Sequence, residues 1–237
     1  MLVFGIGFYY LIGFDGILYG LVLSFVPYTV LIFREFKESR IDFSLLKSRK
    51  GFIANNYAMS ISGRASSTID KLVIAPLLGF ALLGNYSLAL QLFVILLIVP
   101  MIIYKYLLPQ DASGQTNRKL RHVTIILSVG IAVLGIGLFP YIIPNFFPKF
   151  IDAIDAIQIM SVAIIPATIT LLYTSKLLGM EKRKFVLIAE IISTSVLIVG
   201  FIILGPIFGV MGLASVFVLS ITLEATLLFC MTKIKKL

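Results

Sequence analysis

Seven long apolar runs, at 17–33, 53–78, 86–108, 120–143, 152–177, 183–204 and 208–231, constrain this chain more than any other feature. Each holds roughly 17–26 residues, which as helix covers about 30 Å of hydrocarbon at 1.5 Å per residue. The runs are continuously apolar rather than alternating, which excludes a transmembrane β-barrel. Backbone groups in lipid must be satisfied within the segment, which leaves helices. The expected fold is therefore all-α, a polytopic bundle of seven spans. Composition agrees: charged residues make up 13% and the AVILMFWYC set 59% of the 237 residues. A soluble domain carries about twice that charge. Residues 2–12 are apolar too, but they are too short to cross. Gly13-Phe14-Asp15-Gly16 separates them from the next run, so they read as the tail of a helix. No basic segment with a cleavage site opens the chain, and no signal peptide is expected.

The net charge of +9 invites a nucleic-acid reading, and the positions of the charges argue against it. Arg34, Lys37, Arg40, Lys47, Arg49 and Lys50 fall on one connection; Lys105, Arg118, Lys119 and Arg121 on the next but one. Lys176, Lys182, Arg183 and Lys184 follow, then Lys233, Lys235 and Lys236 at the end. The alternate connections, around Asp15, 79–85, 144–151 and 205–207, carry only Lys149. Such alternation is the positive-inside pattern, and it predicts cytoplasmic basic loops and a cytoplasmic carboxyl terminus in the cell membrane. The charge is then topological, membrane lipids are the expected surroundings, and no nucleic-acid partner is expected.

Chemistry has few candidate residues. Cys230 is the only cysteine, and no disulfide framework or CxxC site is possible. His122 stands beside a basic loop and reads as interfacial. Asp152 and Asp155, at the start of a helix, favour its dipole without further chemistry. No dinucleotide, Walker, HExxH or GxSxG pattern occurs in a supporting context, so no enzyme activity, metal or cofactor is expected. The second span is different. Asn56, Ser60, Gly63, Arg64, Ser67, Asp70 and Lys71 fall within an arc of about 120° at 100° per residue. Intramembrane ionisable groups face a bundle interior or a watery cavity. Arg64 could simply pair with Asp70. The stripe formed by Asn56, Ser60 and Ser67 extends further than one pair needs, which favours a cavity where a guanidinium meets an anionic group such as phosphate. Asn56, Ser60, Arg64, Ser67 and Lys71 are thus the candidate substrate-binding residues. Asp70, Glu190 and Glu224 are candidates for ion coupling or helix pairing; the two glutamates also lie within reach of basic residues at the ends of their spans.

Gly16-Ile17-Leu18-Tyr19-Gly20-Leu21 and Gly209-Val210-Met211-Gly212-Leu213-Ala214-Ser215 open the first and last spans in the same direction. Small residues at this spacing allow close helix approach, and the placement fits a parallel repeat. Several segments then resemble a known family. They are Ile69–Gly79 (IDKLVIAPLLG) followed by Leu83–Ala89 (LGNYSLA), Leu108-Pro109 before a basic loop, Phe146–Ala156 with Pro148 where glycine is usual, Gly179–Lys182, and Gly205–Gly212. Their order and spacing over 52–231 resemble the Wzx-type polysaccharide, or O-antigen, flippases of the multidrug/oligosaccharidyl-lipid/polysaccharide exporter superfamily. The resemblance implies movement of a polyprenyl-diphosphate-linked oligosaccharide by two lobes around a cationic cavity. It assigns 52–232 to the C-terminal six-helix lobe and 1–33 to a remnant of the N-terminal lobe. Residues 34–51 become a basic linker and 233–237 a basic tail. One copy would not build both lobes, so a separate N-terminal lobe or a second copy is the implied partner. A cation-coupled multidrug exporter of the same superfamily, or an inactive remnant, are the alternatives.

Overall fold

A computed structural model describes residues 2–38, 71–115 and 117–234. Every regular element among them is helical. The chain divides into two compact units, Met1–Asn56 and Tyr57–Leu237.

The first unit is a helical hairpin. Helix α1 (Leu2–Ile12) ends at Gly13, whose φ of +80° is open to glycine at little cost, and α2 (Phe14–Glu38) returns alongside. Gly16 and Gly20 form the contact. A Cβ on Gly16 would fall 1.9 Å from the Phe8 carbonyl oxygen, and one on Gly20 would fall 2.5 Å from that of Phe4. The short apolar segment 2–12 is thus a helix packed on the first span, and α2 runs past the expected end of that span into the basic stretch.

In the second unit, residues 71–78 are helical and Gly79, at φ +84°, turns the chain into the next helix. We label 71–78 as α3, Phe80–Ala112 as α4, Arg118–Phe146 as α5, Ile154–Val162 as α6, Ile164–Gly179 as α7 and Arg183–Ile234 as α8. A 3-10 turn, Pro148–Ala153, leads into α6 and holds Asp152; Asp155 lies in the first turn of α6. The expected span at 152–177 falls within one stretch, Pro148–Gly179, long and apolar enough to cross a membrane, with a tightened turn at Ala163. Pro166 has no N–H for the Val162 carbonyl, so the chain tightens there, with the Ala163 N–H bonding Met160 at 3.0 Å.

The 52 residues of α8 are two helical segments joined at a single non-helical residue. The chain folds back at Gly209 (φ +57°, ψ −135°), so the expected spans 183–204 and 208–231 are the two antiparallel arms of α8. A Cβ on Gly212 would sit 2.4 Å from the Leu204 oxygen, and one on Gly200 would sit 2.4 Å from Val216 Cγ1. Five stretches among the described residues, this folded one included, are long and apolar enough to cross a membrane. Of the expected span 53–78, only 71–78 lies within the described residues.

Helix α7 lies at the centre of the second unit, against α4, α5 and α8. Apolar burial gives little drive between helices in lipid, so close packing of small residues must hold the bundle. The buried stripe of α5 reads Thr124, Ser128, Ala132 and Gly135, then Phe139 and Ile143. Its hydroxyls bond back to Leu120 and Ile125 carbonyls, each at 2.7 Å, and present methyl and methylene surface to their neighbours. Gly135 accommodates Ser161, whose Oγ would lie 2.7 Å from an added Cβ. At the opposite end from the basic loops, Tyr86 meets Phe201 edge-on at 5.5 Å.

Candidate functional site

The sequence places its main candidates, Asn56, Ser60, Arg64, Ser67 and Asp70, outside the described residues. Lys71 lies in α3 and is exposed. The remaining two, Glu190 and Glu224, lie on opposite arms of α8, and the Glu224 carboxylate approaches a serine of the other arm. The buried Ser193 hydroxyl lies 3.0 Å from the Glu190 carbonyl oxygen and 3.3 Å from Glu224 Oε2. Glu224 therefore faces the partner arm. No group of three or more His, Cys, Asp or Glu capable of holding a metal occurs among the described residues.

The basic end holds a second constellation that sequence reasoning missed. Asp111, in the last turn of α4, has a side chain only 3% exposed. Its oxygens accept from Arg121 Nη2 at 2.6 and 2.5 Å, and Ser175 of α7 donates its hydroxyl to the same carboxylate. Arg121 Nη1 donates to the Leu172 carbonyl at 2.7 Å. One ion pair thus ties together α4, α5 and α7. Glycine at 179 makes room for it, because a Cβ there would lie 2.6 Å from the Asp111 carbonyl carbon. Asn117 caps α5 just below, its Oδ1 accepting from the Leu120 N–H at 3.1 Å.

Above this anchor, a groove of about 460 Å³ opens between α5, α7 and the second arm of α8. Arg118, Arg121, His122 and Lys176 line its basic end, and Ile125, Pro166 and Ile169 line the deeper part. Arg121 spends both terminal nitrogens on protein acceptors, while its Nε is buried without one. A neighbouring hollow of about 420 Å³ shares Tyr173, Lys176 and Phe229 and adds Lys233, whose Nζ stands 4.5 Å over the Phe229 ring. Lys176 and His122 are expected from sequence to be ordinary interfacial residues; the fold brings them to one groove. The available signal was the spacing of Arg118, Arg121 and His122, which share one helical face.

Comparison with protein-family models, with curated proteins and with solved structures gave no match. The fold and hydropathy define the class: this is an all-α, multi-pass membrane protein.

Proposed function

We propose that the chain is part of a membrane transporter that flips a polyprenyl-diphosphate-linked oligosaccharide for surface polysaccharide synthesis, as a member of the Wzx-type flippases. In this reading it lies in the cytoplasmic membrane with basic loops and carboxyl terminus inside, and it works with an N-terminal lobe or a second copy. It is a carrier, not an enzyme.

The observation that carries the reading is a repeat within the fold. Gly13 and Gly209 both have positive φ; three residues on, Gly16 and Gly212 each close against the carbonyl five residues before the turn, Phe8 and Leu204. Eleven residues after each turn a buried serine, Ser24 or Ser220, bonds the carbonyl three back, at 2.7 and 2.9 Å. Even the close contact between arms recurs: Gly20 meets Phe4, and Gly200 meets Val216, the same pair of positions with glycine on the opposite arm. Structural repeats are a common plan among secondary transporters. The family motifs in the sequence add the substrate class.

The test is transbilayer movement of a fluorescent polyprenyl-diphosphate glycan in proteoliposomes, with the chain alone and with an N-terminal lobe supplied. Movement that falls to background in Arg64→Ala supports the reading; absence of movement in both arrangements overturns it. A second reading, a cation-coupled drug exporter, draws on the Glu190–Ser193–Glu224 arrangement, since intramembrane carboxylates commonly serve proton or cation coupling. It predicts drug efflux lost in Glu224→Gln and insensitive to Arg64→Ala.

A further inference from the structure

We propose that the groove between α5, α7 and the second arm of α8 is a binding site for a lipid with an anionic phosphate headgroup. Its described lining residues come from α5, α7 and α8, and the proposal does not depend on the transport reading.

Its chemistry changes along its length. At the basic end, Arg118 and His122 stand on the first turns of α5 with Arg121, and Lys176 faces them from the last turn of α7. The amino-terminal N–H groups of α5 add the positive end of a helix dipole. Of the four side chains, Arg121 is largely neutralised by Asp111, yet its buried Nε–H has no protein acceptor among the described residues. Because that Nε is closed off within the protein, an anion's oxygen placed in the groove would meet Arg118 and Lys176 instead. Asp111 does not counter such an oxygen, because its carboxylate is covered by Arg121 and Ser175.

Deeper in, the walls offer an anion nothing. Thr222 and Thr226 commit their hydroxyl protons to the Val218 and Leu223 carbonyls, each at 2.7 Å, and Ile125, Pro166 and Ile169 supply apolar surface. A free phosphate would use only the basic end. An acyl chain continuing from that phosphate would use the rest, which is why we commit to a lipid.

The sequence contains no tryptophan, so single-tryptophan variants report cleanly. Phe229→Trp puts the reporter in the groove; Tyr106→Trp puts it on an exposed position of α4 near the same end. Each is purified, checked by size exclusion, and placed in phosphatidylcholine nanodiscs with a minor fraction of tail-brominated phosphatidylglycerol. The groove reporter should be quenched at lower phosphatidylglycerol content than the reference. With brominated phosphatidylcholine the two should respond alike. Removing Arg118 and Lys176 charge (R118Q, K176Q) should weaken the preference about fivefold for each cation lost. Inorganic phosphate should leave it unchanged relative to chloride at equal ionic strength. Equal quenching of both reporters, persistence in the double variant, or displacement by inorganic phosphate would each overturn the lipid site.

Discussion

Replacing Gly212 with alanine tests the hairpin on which the repeat depends. The new Cβ would lie 2.4 Å from the Leu204 oxygen, 3.0 Å from the Leu204 carbonyl carbon and 3.0 Å from Phe208 Cβ. Two of those atoms are backbone, so no rotamer change relieves the clash and the arms must separate. Overpacking of this kind costs about 1–3 kcal/mol, and a backbone neighbour places it at the upper end. Alanine also gains about 1 kcal/mol of helix propensity over glycine, which leaves a net loss of about 2 kcal/mol. Gly130 supplies the control, because nothing lies within 4 Å of its Cβ position and only the propensity gain applies. The two variants should therefore differ by about 3 kcal/mol. For a chain of this size that is about 6–12 °C in midpoint. Heating detergent-solubilised protein and following the monodisperse fraction by size exclusion measures the gap. If Gly212→Ala survives as well as Gly130→Ala, the two arms of α8 do not meet at Leu204 and the repeat loses its geometric basis.

Asp111→Ala should destabilise the second unit by about 3–5 kcal/mol, because it strands a mostly buried guanidinium. The double variant Asp111→Ala/Arg121→Met should recover part of that loss in the same heating assay. Gly209→Ala should cost about 1–3 kcal/mol, since φ +57° with ψ −135° suits glycine alone, whereas Gly137→Ala, with nothing within 4 Å, should be neutral or better. In a Cys230→Ser background, an impermeant maleimide should label Asn145→Cys in intact cells and Gln115→Cys only after permeabilisation; the reverse pattern would invert the proposed orientation.

How much of this was legible depended on whether the signal was local. The apolar runs fixed helices, and glycines at 13, 16, 209 and 212 marked both hairpin turns. The sign of φ at Gly13 and Gly209 was not readable, but the two spans expected around 205–207 are the two helical arms that meet at Gly209. Once a turn at Gly209 is known, register follows. Gly200 opposite Val216 and Leu204 opposite Gly212 imply that Ser193 faces Glu224, and it does. The Asp111 anchor gave no such handle. Its partners lie 10 and 64 residues away on two other helices, and a lone acid among basic residues reads as solvated. Counting charge by loop groups Arg118, Arg121 and His122 with a connection and hides the one helical face on which they gather.

The two ends of the second unit are built by different means, and this constrains how a ligand can reach it. At one end, the chain reverses through glycines and packs apolar side chains against them: a Cβ on Gly205 would fall 2.6 Å from Leu78 Cδ1, one on Gly209 would lie 3.6 Å from Leu82 Cδ2, and one on Gly84 would lie 3.6 Å from Phe150. That end is joined by contacts that any opening would have to give up together. At the basic end, α4, α5 and α7 converge on the single carboxylate of Asp111, and the second arm of α8 passes beside the groove instead of sealing it. The helices there are held by the Asp111 ion pair and by the apolar cluster around Leu177, Ala189 and Leu228, but the groove beside them is already open, and its cations favour an anion without any separation. Among the described residues, a charged headgroup therefore has its lowest-cost approach from the basic end, sideways between α5 and α8, with its chain trailing along the apolar wall.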